Sequence, residues 1–191
     1  MTVLSIATIG NPVLREPARY VARDELAGAP IQHLIDDMIE TMHSAAGAGI
    51  AANQVHRPVR ICVIEISNNP RYPYKPNWPL TILVNPTLEW TTDETFMNFE
   101  GCLSVPNLRG QVPRSVGVRV RAWDRAGCDL DFVVAGLTAG TFQHEVDHLE
   151  GKLFVDRVVD TRSLCTWADF DRFHRDEFVG RARALVARFG S

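Results

Sequence analysis

Apolar residues recur at helical spacing near the start of the chain. After Pro30 they stand three and four positions apart, at Ile31, Leu34, Ile35, Met38, Ile39 and Met42. This repeat predicts an amphipathic helix that ends near His43, with its apolar stripe against the core. Pro30 fits the first position of that helix, where its missing N–H leaves no hydrogen bond unmade.

Strand patterns follow in the middle of the chain. Runs of β-branched residues, or of alternating apolar and polar residues, predict strands at 59–66, 80–84, 116–123 and 129–134. Asn85-Pro86 predicts the end of the second strand. The Asp124 to Gly127 segment predicts a turn that joins the last two strands as a hairpin.

Helical spacing returns near the end of the chain. Residues 137–149 form one helical pattern, and a second pattern begins after Ser163. Thr166 and Asp169 approximate a helix cap there, and Gly180 is expected to interrupt the helix.

The order of these patterns is helices, then antiparallel strands, then helices, which predicts an α+β fold. No repeat or linker divides the sequence, so we expect a single catalytic domain over 1–191, with residues 162–191 as a helical tail. Apolar residues make up 46% of the chain, which is enough for a core. A net charge of −3 argues against broad electrostatic binding to nucleic acid, so no DNA partner is expected.

The compartment is predicted from what the sequence lacks. No apolar run approaches the roughly 18 residues of a membrane span, and the start MTVLSIATIGNP lacks the regions of a secretion signal. We therefore expect a cytoplasmic protein with no membrane partner. The cysteines form no C-x-x-C pair and suit free thiols, with no catalytic role expected for Cys62, Cys128 and Cys165.

The strongest chemical signal is an H-E-x-x-H sequence. His144 and His148 stand four residues apart, so on a helix both imidazoles can reach one metal ion. Glu145 sits beside the first histidine, where a carboxylate can address a metal-bound water. Chance would produce this pattern only roughly 0.01 times in a chain of this composition.

A catalytic metal needs a third protein ligand and an open position. A zinc endopeptidase would take the third ligand from downstream, where the candidates are Glu150, His174 and Glu177. Upstream, Cys102 offers a thiol that a metal would deprotonate. A metal-stabilised binding domain without activity is the non-enzymatic alternative.

Residues 47–54, GAGIAANQ, form a third segment of interest. Its small residues allow close approach of another backbone, and Gln54 adds a side-chain amide. Taken alone, the segment also fits a tight turn followed by a strand.

Three segments together resemble the peptide deformylase family: GAGIAANQ at 47–54, EGCLS at 100–104 and QHEVDHLEG at 143–151. The resemblance extends to NPVLR at 11–15 and SVPNLRGQVPR at 104–114, and covers roughly residues 8–160. It implies antiparallel sheets around a central metal-bearing helix, with a C-terminal helix. It also implies hydrolysis of the N-formyl group of formyl-methionyl peptides, which gives formate and a free amine.

The resemblance also implies residue roles. The metal ligands would be Cys102, His144 and His148, and Glu145 would be the general base and acid. Gln54 and the backbone N–H of Leu103 would donate to the developing oxyanion. The substrate-binding residues would be Gly47, Ala48, Gly49, Ile50, Glu100, Gly101, Leu137, Gly140 and Thr141, with the substrate backbone paired beside Gly49.

The implied cofactor is one divalent metal ion per chain. The family resemblance implies Fe2+, with Zn2+, Ni2+ or Co2+ able to occupy the site. Such an ion lowers the pKa of a bound water from 15.7 toward ~7, and Glu145 would move the proton.

The helix turns before His144 predict the pocket for the first side chain of the substrate. Leu137, Gly140 and Thr141 share a face with His144. Gly140 and Thr141 are small and Asn98 is polar, so we hypothesise a wide pocket that discriminates weakly among apolar first residues.

Charged residues in apolar surroundings predict an ion-pair network. We expect Glu100, Arg114 and Asp147 to brace the motif segments, with an Arg114–Asp147 pair, whereas the sequence assigns no contact to Arg109. Residues 67–79 carry Pro at every third position and are interpreted as an exposed insertion, with a lid or a partner contact as the alternative.

The tail carries a local positive charge. Residues 172–188 contain five arginines against Asp176 and Glu177. This run predicts either a solvated helix face or a contact with ribosomal RNA, which some bacterial relatives make with a C-terminal helix.

Overall fold

The computed structural model describes residues 2–190, in which antiparallel sheets surround a buried helix. The strands are β1 (Gly49–Ala51), β2 (Ile61–Ile66), β3 (Trp78–Trp90), β4 (Thr95–Cys102), β5 (Val105–Ser115), β6 (Gly117–Trp123) and β7 (Asp129–Ala135). The α-helices are α1 (Arg23–Leu26), α2 (Ala29–Ser44), α3 (Gly136–Leu149), α4 (Trp167–Asp169) and α5 (Arg175–Phe189). Short 3-10 turns cover Pro12–Arg15, Ala52–Val55, Phe154–Arg157 and Thr161–Ser163, and a π turn covers Phe170–His174.

Two sheets flank α3 within the described residues. The larger has the order β1-β2-β3-β6-β7, and β4 pairs with β5 in the smaller. The helix α3 contacts strands of both sheets, and every residue of it except His144 is buried. This arrangement confirms the predicted α+β fold and places the H-E-x-x-H sequence at the centre of the molecule.

The predicted amphipathic helix is α2, which begins at Ala29, so Pro30 is its second residue and not its first. Its apolar stripe lies against β1, β2 and β3, and Ile35, Met38 and Met42 are fully buried. Each such side chain stabilises the fold by about 1.5–3 kcal/mol relative to an exposed position. This packing fixes the sheet edge formed by β1.

The strand β3 does not end at Asn85-Pro86, as the sequence predicted, but continues to Trp90. Its register with β6 shifts between Val84 and Thr87, which is a bulge that accommodates the proline. Asn85 lies in the left-handed region at φ 54°, and its side chain bonds both the N–H and the C=O of Val21 at 2.9 Å. The strand therefore continues through a bulge at Pro86, which has no N–H to donate to the ladder.

The β4–β5 hairpin was not predicted. Its strands pair from Thr95–Ser115 to Gly101–Arg109, and the register shifts at Cys102. Pro106, Gly110 and Pro113 interrupt the alternation that marks a strand in the sequence. The hairpin carries Cys102 to the side of α3.

The tail is helical, as predicted, but its interruption lies elsewhere. Thr166 caps α4 and accepts a hydrogen bond from the Asp169 N–H at 3.2 Å. The helical run changes to a π turn at Phe170, whereas Gly180 lies inside α5 with open space around it. None of the helices within residues 2–190 is long and apolar enough to cross a membrane.

Candidate active site and metal centre

Three side chains suited to metal binding converge beside α3. Cys102 ends β4, while His144 and His148 stand on successive turns of the helix. Their ligand atoms all lie within 4.8 Å of one another, and Cys102 Sγ is 3.2 Å from His148 Nε2. The structure therefore brings together the three ligands that the family resemblance implied.

The donor set fits a divalent transition metal. One thiolate and two imidazoles suit zinc or iron, whose bonds to these atoms are about 2.0–2.3 Å long. Glu100 Oε2 accepts a hydrogen bond from His144 Nδ1 at 2.8 Å, which leaves Nε2 of that ring for a metal. A carboxylate behind the imidazole is the usual setting of a metal-bound histidine.

The downstream candidates for a third ligand lie away from this group. Glu150 is exposed and forms an ion pair with Arg60 at 2.6 Å. The ring of His174 stacks against Phe99 at 5.6 Å between centroids. The geometry therefore does not assemble the ligand set of the endopeptidase alternative.

The predicted ion-pair network is confirmed. Arg114 donates to Glu100 at 2.7 Å and to Asp147 at 2.6 Å, and all three side chains are buried. Burial opposes ionisation of Glu100, but the Arg114 charge and hydrogen bonds from Arg114 and His144 lower the pKa of Glu100 well below its ordinary value. Arg157 adds a hydrogen bond to Asp147 at 2.7 Å. The network connects β4, β5 and α3 behind the metal group.

Glu145 lies on the opposite side of the helix from this network, against Gly49 of β1. A Cβ atom at Gly49 would stand 2.5 Å from Glu145 Oε1, so the carboxyl group occupies the space that a side chain would need. Glu145 is buried, and its Oε2 has no hydrogen-bond partner among residues 2–190. Burial raises the pKa of Glu145 to about 7. Such a carboxyl group is suited to proton exchange near neutral pH.

Gln54 lies on the Ala52–Val55 turn that follows β1. Its Oε1 accepts a hydrogen bond from the Ala51 N–H at 2.8 Å, and its Nε2 donates to Ser104 Oγ at 3.0 Å. Nε2 is also 3.6 Å from Cys102 Sγ, so the amide reaches the metal group. Leu103 lines the same cavity. The buried Ser104 has no role in the sequence interpretation, although it belongs to the EGCLS motif.

A cavity beside the three ligands holds about 40 Å³ of space for water. Seven of the predicted substrate-binding residues line it: Gly47, Ala48, Gly49, Glu100, Gly101, Gly140 and Thr141. Ile50 does not, because successive strand residues face opposite sides and Ile50 points into the core beside α2. Leu137 lies two turns from His144, about 10 Å along the axis, and faces Phe178 of α5.

The room beside Gly140 is smaller than the sequence predicted, whereas weak discrimination among apolar first residues stays a prediction. A Cβ atom there would meet Phe96 Cζ at 3.2 Å and Asn98 Nδ2 at 3.3 Å. Neighbouring side chains thus fill the room that the missing side chain leaves, which the sequence of one helix cannot reveal.

The interpretation of residues 67–79 as an exposed insertion is also corrected. Arg71, Tyr72 and Lys75 of this segment line the cavity, and Tyr72 is buried. Lys75 Nζ donates a hydrogen bond to Thr141 Oγ1 at 2.8 Å. The proline period predicts a stiff backbone, but it does not determine which way the side chains between the prolines point.

Arg109 is fully buried in an aromatic cage between this segment and the tail. Its guanidinium lies 3.8 Å from the Phe170 ring centroid and 4.3 Å from that of Trp167. Its Nη2 donates to Phe99 O at 2.5 Å and to Tyr74 Oη at 3.1 Å. No single-segment signal in the sequence indicates this cage, because its members come from four distant stretches.

Comparison with known proteins places these observations in a family. A family model described as polypeptide deformylase matches residues 3–163. Peptide deformylase 2 of Nostoc sp. is 40% identical over 168 residues, which cover 88% of this chain and 93% of that protein. The peptide deformylase of Leptospira biflexa is 38% identical over 172 residues, which cover 90% of this chain and 96% of that protein.

Solved structures that resemble this chain are also peptide deformylases. A class I type b peptide deformylase from Acinetobacter baumannii, with Met-Ala-Ser bound, matches with a TM-score of 0.79 and 39% identity, over 82% of this chain and 99% of that chain. A peptide deformylase from Synechococcus elongatus in complex with actinonin matches with a TM-score of 0.74 and 31% identity, over 100% of this chain and 87% of that chain. The chain therefore belongs to the peptide deformylase family, enzymes that hydrolyse the N-formyl group of peptides.

Proposed function

We propose residue roles by which this chain removes the N-formyl group from formyl-methionyl nascent polypeptides. The observation that carries the proposal is the convergence of Cys102, His144 and His148 beside a cavity that Glu145 and Gln54 also line. The reaction hydrolyses a formamide, which is unreactive toward water, and yields formate and a free amine. The site therefore has to activate a water molecule and stabilise negative charge on the formyl oxygen.

Cys102, His144 and His148 would hold one divalent metal ion. When bound, such an ion acts as a Lewis acid and lowers the pKa of a coordinated water from 15.7 toward ~7. We propose Fe2+ as the physiological ion, and the same donors also suit Zn2+, Ni2+ or Co2+. Glu100 supports this role because it fixes the orientation of the His144 ring.

Glu145 is the proposed general base and acid. It takes a proton from the attacking water and delivers that proton to the leaving amine. Its burial and its pKa of about 7 allow both transfers near neutral pH.

Gln54 and the Leu103 N–H are the proposed donors to the tetrahedral oxygen. The Ala51 N–H and Ser104 hold the Gln54 amide in place before the substrate arrives. Donors that are already oriented stabilise the transition state without a reorganisation cost.

The substrate backbone is proposed to pair with β1 at Gly49. The strand β1 stands at the end of the larger sheet and pairs with β2 on one side only, within the described residues. A free strand edge can accept an extended peptide as an added strand. The Met-Ala-Ser peptide bound to the Acinetobacter baumannii relative supports a peptide ligand of this kind.

The proposed setting is the cytoplasm, close to the nascent chains that carry formyl-methionine. The curated relatives compared above come from two bacteria, Nostoc sp. and Leptospira biflexa. The exposed arginines of α5 are the proposed contact with ribosomal RNA.

Formate release from formyl-Met-Ala-Ser by the metal-reconstituted protein tests the activity. We expect release by the wild-type chain, and loss of both bound metal and release in Cys102→Ala. Retention of metal and peptidase activity in Cys102→Ala would instead support the endopeptidase alternative. A metal-loaded wild-type protein that releases no formate would support a binding domain without activity.

A further inference from the structure

Lys75 places an ammonium group inside the proposed active site, although its segment lies outside the motifs. Its Nζ is 2.8 Å from Thr141 Oγ1 and 4.8 Å from the centre of the Tyr72 ring. Thr141 stands one turn before His144 on α3, at the position predicted for the first side chain of the substrate. Lys75 thus occupies the place that a substrate side chain needs.

The space left beside Lys75 is small. The cavity offers about 40 Å³, and one water needs roughly 10–15 Å³ by the same measure. Three waters therefore fill it. A methionine side chain cannot enter the place where the Lys75 ammonium meets Thr141, so in the described conformation that place is closed to the substrate.

The contacts that hold Lys75 are few. An ammonium group has three N–H donors, and Lys75 uses one of them, toward Thr141. Burial lowers the pKa of Lys75 to about 8, which shows that the surroundings stabilise the charge less well than water does. Lys75 is only half-buried, but an apolar methionine side chain suits this position beside Thr141 better than an ammonium does.

The rest of the segment is anchored near its start by Asn69 and further along by Tyr74. Asn69 donates to the carbonyls of Ala46 and Gly47 at 3.0 and 2.9 Å. Tyr74 packs edge-on against Phe178 at 5.2 Å. Lys75 lies beyond both contacts, so its side chain can leave while they persist.

We propose that Lys75 is an internal occupant of the pocket for the first substrate side chain, and that binding of a formyl-methionyl peptide expels it into solvent. This inference rests on the proposed function, because it takes the Gly140–Thr141 pocket as the methionine site. Expulsion subtracts from the affinity for substrate, since only the fraction of molecules with Lys75 outside can bind. Lys75 thereby tunes KM without touching the reacting atoms.

The chain contains two lysines, which makes a direct measurement simple. Lys152 is exposed and lies outside the cavity. A short pulse of an amine-acetylating reagent, read by peptide mass spectrometry, gives the ratio of labelling at Lys75 to that at Lys152. An added peptide consumes some of the reagent, which lowers the labelling of both lysines to the same extent and leaves the ratio unchanged.

We expect Lys75 to be protected in the free metal-loaded protein. Saturating Met-Ala-Ser should raise the Lys75/Lys152 labelling ratio at least about threefold, because the population shifts toward the expelled state. A ratio that stays constant or falls on saturation would overturn the proposal, since Lys75 would then remain enclosed beside or beneath the peptide.

Kinetics provide the second measurement. Lys75→Ala should lower KM for formyl-Met-Ala-Ser about threefold or more with kcat little changed, whereas the control Lys152→Ala should match the wild type. Lys75→Met keeps the length of the side chain but loses the hydrogen bond to Thr141. Its KM should lie between that of Lys75→Ala and that of the wild type. A higher KM in Lys75→Ala contradicts the proposal.

The two proposals fail differently. Formate release by the wild type, with Lys75 still protected under saturating peptide, refutes the occupant role alone. Absence of formate release in both the wild type and Lys75→Ala refutes the proposed function, and the occupant role falls with it.

Discussion

Gln54 has its amide held on both sides before any substrate is present. Its oxygen accepts from Ala51 and its nitrogen donates to Ser104, so the amide is oriented toward the metal group. A donor fixed in this way contributes only when negative charge develops on the formyl oxygen. The distinction between binding and catalysis can therefore be tested at this residue.

Gln54→Leu should lower kcat by about 10²–10³, which corresponds to about 2.7–4 kcal/mol of transition-state stabilisation. Metal content should stay near one ion per chain, because Gln54 is not a ligand. Steady-state formate release together with metal analysis checks both expectations. A kcat close to that of the wild type would remove Gln54 from the mechanism.

Lys75 should make stability depend on pH in the alkaline range. Its pKa is about 8 in the folded protein against an ordinary value of 10.5. Between pH 8 and pH 10.5 the folded protein has released a proton that the unfolded chain still holds. The free energy of unfolding therefore increases as the pH rises through this range. Below pH 8 both states are protonated and this contribution is constant.

Urea unfolding of the wild type and Lys75→Met at pH 7 and pH 10 isolates the effect. The stability of the wild type relative to Lys75→Met should rise between the two pH values. Tyr72, which faces Lys75, stays neutral at pH 10 because burial raises its pKa to about 12. The other charged groups around Lys75 are Glu100, Arg109, Arg114 and Glu145. An unchanged difference would show that the ammonium is hydrated in the folded state.

At this scale the sequence predicted the three side chains that converge beside α3, and it did not indicate the contact of Lys75 with Thr141. His144, Glu145 and His148 belong to one local motif whose spacing has a direct meaning on a helix. Lys75 reaches Thr141 across 66 residues of chain, and no local pattern encodes that contact. The same holds for Arg109, whose cage is assembled by tertiary packing.

Among the elements, the β4–β5 hairpin is joined to α3 by buried charges. Arg114 contacts Glu100 from the facing strand and Asp147 from the helix, and its side chain is 2% exposed. The arginine thus compensates two buried carboxylates. Removal of a partner from such a group costs more than the group contributes in total.

Arg114→Met should destabilise the protein by about 3–5 kcal/mol, because it leaves two buried carboxylates without a counter-charge. Arg119→Met is the matched control, since Arg119 pairs with Asp131 on an exposed part of the sheet and such pairs contribute about 0–1 kcal/mol. Urea unfolding of both variants checks the contrast. Similar losses in the two variants would contradict the bracing role.

The elements themselves were predicted unevenly, for a physical reason. Helix α2 and the β6–β7 hairpin have strong periodicity, and both form where the pattern indicated. Strands β4 and β5 contain proline and glycine and derive their pairing from each other and from α3. Strand β3 continues past Pro86 at a bulge where Asn85 bonds Val21, a contact between residues 64 positions apart that no local pattern indicates.

For the molecule as a whole, the tail packs against residues next to the candidate active site and does not itself line the cavity. Trp167, Phe170 and Phe178 cover Arg109, Phe99 and the 67–79 segment. The single domain over 1–191 with its tail at 162–191 stays a prediction, but a tail packed in this way is not a removable appendage.

The proposed ribosome contact should therefore be tested with charge-reversal variants of the tail and not by truncation of the tail. Arg172, Arg175 and Arg183 are exposed and form no ion pair within residues 2–190. Arg172→Glu combined with Arg183→Glu should weaken salt-sensitive co-sedimentation with ribosomes and leave formate release intact. Truncation after Thr161 should impair both, because it uncovers Arg109. If the double variant co-sediments as well as the wild type, these arginines form a solvated helix face and do not contact the ribosome.

Metal loss should affect more than catalysis. At a free metal concentration 100-fold above Kd, binding to the folded state alone adds about 2.7 kcal/mol, or roughly 5–10 °C in Tm for a chain of this size. Chelation should lower the Tm of the wild type by that amount and leave Cys102→Ala unchanged. Equal effects on the two proteins would contradict Cys102 as a ligand.

The reason lies in the origin of the ligands. Cys102 comes from the small sheet, and the two histidines come from a helix more than 40 residues later. A cation held by all three would act as a cross-link between parts that otherwise meet through side-chain packing and the Arg114 ion pairs. The supply of metal in the cell would then set how long each molecule survives proteolysis, and not only how fast it turns over.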